Sequence, residues 1–102
     1  MKLRISGQAK EDLLDLWEYI AVHDELAADR YADHVFERAT ELLNHPELGR
    51  SRPEIHPGVR SLLCRNHLIF YRVRSDVIEV LRILHGSMDL PNQDYEVEEG
   101  IS

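Results

Sequence analysis

The 102-residue chain reads as an α+β domain: an N-terminal strand, an antiparallel helical hairpin, then a three-stranded antiparallel meander completing one sheet. Two observations carry that reading. Apolar residues recur every third or fourth position through residues 9–44 and then run in extended, alternating fashion through residues 59–84. A stretch rich in proline and glycine, Pro46 to Gly58, separates the two regimes. The length admits one modest core and no second lobe, which excludes multidomain enzymes and dinucleotide-binding folds.

Lys2 to Ser6 alternates Lys-Leu-Arg-Ile-Ser, placing Leu3 and Ile5 on one face of a short strand. Ser6-Gly7 supplies a turn and a helix cap. From Ala9 to about Val22, Leu13, Leu16, Trp17 and Ile20 form an inward stripe, and Glu11, Asp12, Asp15 and Glu18 are expected on the solvated side. Asp24 caps a second helix from about Glu25 to Asn44, whose inward stripe is Ala28, Tyr31, Val35, Ala39 and Leu42. His45-Pro46 ends it, because the residue before proline resists helical geometry. The few residues between the helices make them an antiparallel hairpin.

After the loop come strands Val59–Cys64, His67–Arg74 and Val77–Leu84. The turns between them are Arg65-Asn66, where Asn66 is expected to take the positive φ, and Ser75-Asp76. The last two strands are apolar on both faces and belong in the sheet interior. Residues 1–90 form the single domain, and 91–102 an acidic tail, flexible or ordered by a partner.

Hydrophobic residues make up 43% of the chain and charged residues 30%, the balance of a soluble globular domain. No apolar run approaches the ~18 to 20 residues that cross a bilayer, and the N-terminus alternates too soon for a signal peptide. The expectation is a cytoplasmic protein without membrane contact. Cys64 is the single cysteine, so there is no internal disulfide, and its apolar neighbours mark it as a small buried hydrophobe.

The net charge of −7 argues against a general nucleic-acid coat. Its distribution is more telling. Residues 1–49 hold five bases against eleven acids, residues 50–90 hold seven arginines against four acids, and residues 91–102 add four acids. An acidic scaffold thus carries an arginine sector: Arg50, Arg52, Arg60, Arg65, Arg72, Arg74 and Arg82, interleaved with His56, His67 and His85. Arg72 and Arg74 share a strand face with Leu68 and Phe70, and Arg82 interrupts an apolar strand. Two uses are open. Glu79 or Glu54 pairs with one or two of these arginines and the rest are surface, or the sheet face binds an acidic or nucleic-acid ligand through forked guanidinium contacts.

Catalytic and metal signatures are absent from the sequence. His23, His34, His45, His56 and His67 are each eleven apart, but eleven helical residues span ~16 Å, beyond the reach of one metal ion. No Gly-rich phosphate loop, Ser-His-acid pattern or carboxylate pair in an apolar setting occurs. No cofactor, metal site or catalytic residue is expected.

Four stretches in order, Gly49-Arg50-Ser51-Arg52-Pro53-Glu54, His56 to Ser61, His67 to Val73 and Arg82-Ile83-Leu84-His85-Gly86, resemble the ParE branch of the RelE/ParE toxins, the toxic halves of type II toxin–antitoxin pairs. Ser6 through Asp12-Leu13 to Trp17-Glu18-Tyr19-Ile20 fits the same family, so the resemblance covers roughly residues 2–90. It implies the RelE/ParE-like fold, a ParD-like antitoxin wrapped on the toxin, and poisoning of DNA gyrase without catalysis by the toxin. DNA would be contacted only through the antitoxin. On this resemblance Arg60, Arg72, Arg82 and His85 are assigned to the target, and Leu13, Trp17, Arg52, Arg65 and Arg74 to the antitoxin.

The RelE branch instead cleaves mRNA in the ribosome, using basic residues and an aromatic hydroxyl near the C-terminus. Here Ser87-Met88-Asp89-Leu90 follows Gly86 with no tyrosine, and Tyr95 lies in an acidic segment. RNA cleavage is therefore the alternative, with a non-toxic adaptor as a third class. Met88 stands where ParE sequences often carry arginine, a departure that bears on toxicity.

Overall fold

Ser6 ends the first strand and begins the first helix within one residue. Its backbone is extended (φ −64°, ψ 162°), its hydroxyl oxygen accepts from the Ala9 N–H at 3.0 Å, and that hydroxyl donates to the Leu81 carbonyl at 2.8 Å. Strand β1 (Lys2–Ile5) therefore passes directly into helix α1 (Gly7–Ala21) while remaining tied to the sheet. The computed structural model describes residues 1–97 of the chain.

Helix α2 (Glu25–Thr40) is capped by Asp24, whose carboxylate accepts from the Ala27 N–H at 3.1 Å. It gives way to a single 3-10 turn at Glu41–Leu43, short of the expected Asn44. The loop contributes a two-residue strand, β2 (Arg50–Ser51), which the sequence reading did not contain. The meander follows as β3 (Val59–Cys64), β4 (His67–Arg74) and β5 (Val77–His85). The sheet order is β1-β5-β4-β3-β2, with β1 parallel to β5 and every other pair antiparallel. In the hairpin turns the positive φ falls on the first residue, Arg65 (54°) and Ser75 (53°), and not on Asn66.

The sheet has a core on each face. On the helix side, Ala9, Val35, Ala39 and Leu42 pack over Leu62, Cys64, Ile69, Tyr71, Ile78, Val80 and Ile83. On the other side, Val59, Phe70, Leu81 and Leu84 are covered by Tyr95, with Ile55, Leu90 and Val97 around them. A β-bulge makes both possible. Phe70 lies opposite Arg82 and Tyr71 opposite Val80, so Leu81 is an extra residue that resets the alternation.

Residues 91–97, the first part of the acidic tail, pack back over the sheet. Tyr95 is 7% exposed, its ring meets Phe70 edge-on at 5.1 Å, and its hydroxyl donates to the Leu90 carbonyl at 2.6 Å. Apolar packing and not the acidic composition decides the path of this strap. The rest of the tail, residues 98–102, lies outside the described residues.

The described part of the domain has a radius of gyration of 13.4 Å, near the ~13 Å of a compact chain this long. Among the described residues, no helix is long and apolar enough to cross a membrane.

Candidate binding surface

Asp12, expected on the solvated side of α1, is instead turned to the sheet. Its Oδ2 accepts from Arg82 Nε at 2.7 Å and from the Ile83 N–H at 2.9 Å, and its Oδ1 accepts from Arg82 Nη2 at 2.9 Å. The reason lies in the sheet edge. β1 pairs with β5 only as far as Val80, so the Ile83 N–H has no strand beside it, and Asp12 takes that place. Arg82 Nη1 also donates to the Asp94 carbonyl at 2.6 Å. The Asp12 hydrogen bond raises the guanidinium pKa above its ordinary value, so Arg82 is a fixed cation.

Arg60 does a different task. Its Nη1 donates to the Gly49 carbonyl at 2.8 Å, beside Tyr71, whose hydroxyl donates to the Pro46 carbonyl and accepts from the Gly49 N–H, both at 2.8 Å. Burial pushes the Tyr71 pKa up, keeping the hydroxyl protonated for this bridge. Arg60 and Tyr71 thus pin the 46–49 loop to the sheet.

Arg72 pairs with Glu79 at 2.8 Å. Arg52 stacks over Phe70 at 6.0 Å, donates to the Ser61 hydroxyl at 2.8 Å and approaches Glu54 at 3.5 Å. Glu79 and Glu54 therefore serve as the sequence suggested, whereas Asp12 was missed because no local pattern links it to a residue 70 positions away. Arg72 and Arg74 line a cleft of about 550 Å³ with Arg4, Glu79, Tyr95 and Glu96. Arg65 lies over the Tyr31 ring at 6.0 Å. In the hairpin, Leu13 packs on the helix-side core, and Trp17 Nε1 donates to Asp29 at 2.8 Å.

His85, Tyr31 and His67 form a row. Tyr31 Oη and His67 Nδ1 are 2.8 Å apart, and the His67 and His85 rings meet edge-on at 5.2 Å. The Ser87 N–H donates to His85 Nδ1 at 3.1 Å, and the Ser87 hydroxyl lies 2.7 Å from the same nitrogen. Spacing marked Tyr31 only as a member of the inward stripe of α2, and Ser87 only as part of the stretch after Gly86; nothing local points to their contacts with His67 and His85.

The four residues assigned to the target are thus not one patch of equivalent cations: two are in ion pairs, one clamps a loop, and His85 is exposed.

The His67 pKa is lowered, first by burial and second by His85. An unfolded histidine titrates near 6.5. With the folded value lower, the unfolded state binds the proton first. Its contribution to stability is full above about pH 6.5 and is lost as pH falls from there toward the folded value. The urea midpoint should therefore drop between about pH 7.5 and 5.5, and drop less in His67→Gln; equal slopes in the two proteins refute the assignment.

The profile described as ParE toxin of type II toxin-antitoxin system, parDE, matches residues 3–90. Over 88 residues the chain is 36% identical to Toxin ParE1 of Caulobacter vibrioides, covering 84% of this chain and 90% of the relative. It is 29% identical over 88 residues to Toxin RelE3 of the same organism, covering 82% and 92%. Its fold superposes with a TM-score of 0.74, at 26% identity, on a solved chain described as a chromosomal ParDE TA system from P. aeruginosa, covering 83% of this chain and 95% of that one. Sequence match and fold agree along nearly the whole described domain, and the chain belongs to the ParE family of type II toxin–antitoxin toxins.

Proposed function

We propose that this toxin poisons DNA gyrase by binding, without catalysis of its own, and is neutralised by a ParD-like antitoxin. The observation that carries the non-catalytic part is the pairing of Arg72 with Glu79 and of Arg82 with Asp12, at 2.8 and 2.7 Å. RNA cleavage needs cations directed at the developing phosphorane and a group to activate the 2′-hydroxyl. Guanidiniums committed to carboxylates are poorly placed for the first task. Tyr95 is poorly placed for the second, since its hydroxyl donates to the Leu90 carbonyl and burial raises its pKa.

The antitoxin reading is supported by the hairpin. Leu14, Tyr19, Val22, Leu26 and Phe36 remain exposed on α1, α2 and their connection, next to the partly buried Leu13 and Trp17. Such a surface suits the apolar side of an amphipathic helix. Acidic residues on the same segment would meet Arg52, Arg65 and Arg74. DNA contact belongs to the antitoxin alone on this reading.

The test is a gyrase supercoiling and cleavage assay with the purified chain. Linear, gyrase-linked DNA should accumulate and disappear when the antitoxin is added. His85→Gln is the informative variant, because His85 is exposed and forms no ion pair among the described residues; it should keep the fold and lose most of the cleavage signal. No cleavage at micromolar toxin overturns the gyrase reading. Ribosome-dependent mRNA cleavage in its place would favour the second reading, whose one structural support is the Tyr31–His67–His85 row beside Arg65. A chain harmless when expressed alone would be the adaptor.

A further inference from the structure

We propose that the cleft bounded by β1, the end of β4 and the start of α1 is a site for an extended acidic peptide, and that the chain's own C-terminal strap is its resident, displaceable occupant. The walls supply the charge. Arg4, Arg72 and Arg74 face a cleft of about 550 Å³ whose strand-borne carboxylate, Glu79, is paired with Arg72. Cations from the strands thus outnumber acids, and the cleft attracts carboxylates.

The strap supplies the complement and a way to hold it there. Arg82 grips the Asp94 carbonyl at 2.6 Å, and Tyr95 is buried against Phe70. The next residue, Glu96, turns with φ 43°, its N–H donating to Asp94 Oδ1 at 3.0 Å. A non-glycine residue keeps that backbone only where its surroundings enforce it. The result is that Glu96 lines the cleft beside Tyr95. Glu96 thus brings a carboxylate of the strap into the lining that also holds Arg4, Arg72 and Arg74. Any other extended acidic segment with an aromatic anchor competes for the same arginines. Access to the cleft is therefore set by release of the strap, whether or not gyrase is the target, because both halves of the contact belong to this chain.

The probe is a labelled synthetic peptide of residues 92–102, titrated into full-length wild type and full-length Tyr95→Ala. Tyr95→Ala, with its anchor removed, should bind the peptide about tenfold or more tighter than wild type. That binding should fall by a similar factor in Tyr95→Ala with Arg4→Gln and Arg74→Gln, with a peptide whose glutamates are glutamines, and between about 0.05 and 0.5 M NaCl. Equal affinity for wild type and Tyr95→Ala, or affinity indifferent to charge, overturns the proposal. If Tyr95→Ala does not fold, amide hydrogen exchange on the full chain replaces it. The Tyr95 and Glu96 amides should exchange at least severalfold faster in the Arg4→Gln, Arg74→Gln double variant than in wild type. Unchanged exchange overturns the proposal equally.

Discussion

Asp12→Ala should destabilise the chain by about 3 to 5 kcal/mol, the range for breaking an enclosed ion pair from one side. The Arg82 and Asp12 side chains are 14% and 12% exposed, so water screens the contact little. One carboxylate serves three donors, Arg82 Nε, Arg82 Nη2 and the Ile83 N–H. Alanine strands all three: a guanidinium between the buried Leu81 and Ile83, and a backbone amide at an edge that β1 does not reach. For a domain of this size the melting temperature should fall by more than about 12 °C. Urea unfolding of Asp12→Ala, Arg82→Met and the double variant measures it. Replacing both charges should cost less than Asp12→Ala alone, since the uncompensated cation is gone while the orphaned Ile83 amide remains. A loss below about 1 kcal/mol for Asp12→Ala would show the pair to be a surface contact.

Gly49→Ala is expected to cost about 2 to 5 kcal/mol, combining overpacking with loss of a buried hydrogen-bond bridge. A Cβ there would lie 2.6 and 2.7 Å from Tyr71 Cε1 and Oη, and 2.9 Å from the Ser61 carbonyl. Neither neighbour can give way easily. Tyr71 is fully buried, its hydroxyl joins the Pro46 carbonyl to the Gly49 N–H, and Ser61 is part of β3. In a Tyr71→Phe background one of the colliding atoms is absent, so Gly49→Ala should cost less, a coupling of at least about 1 kcal/mol. Additive losses would mean that the ring edge at Cε1 and the β3 backbone, and not the hydroxyl, resist the methyl group. Because of the same clamp, a loss of toxicity on replacing Arg60, assigned from the family resemblance to the target, would not by itself identify a target contact. Its guanidinium holds the Gly49 carbonyl, so removing it also loosens the loop.

Legibility in the sequence followed the range of the interaction. Ser6 and Asp24 were readable as caps because a cap acts on backbone three residues away. The stripe Ala28, Val35, Ala39 and Leu42 was readable because helical periodicity reports one buried face. The positive φ of Arg65 and Ser75 was not, since the register Cys64↔His67 and Arg74↔Val77 places the turn whatever residue occupies its first position. Tyr95 did carry a signal, a lone aromatic in an acidic stretch, but which apolar face would receive it was not local information.

The sequence by itself determined the order of elements, the helical hairpin, the meander and the family, because each depends on periodicity or on spacing along the chain. Only the tertiary structure decided the fate of the charges. Arg82 and Asp12 meet across 70 positions because β1 lies parallel to β5 and α1 begins where β1 stops. The bulge at Leu81 gives β5 two buried faces, and the strap then closes the second with Tyr95. A side chain's partner is set by which surfaces the sheet brings together, and no window of neighbouring residues contains that distance.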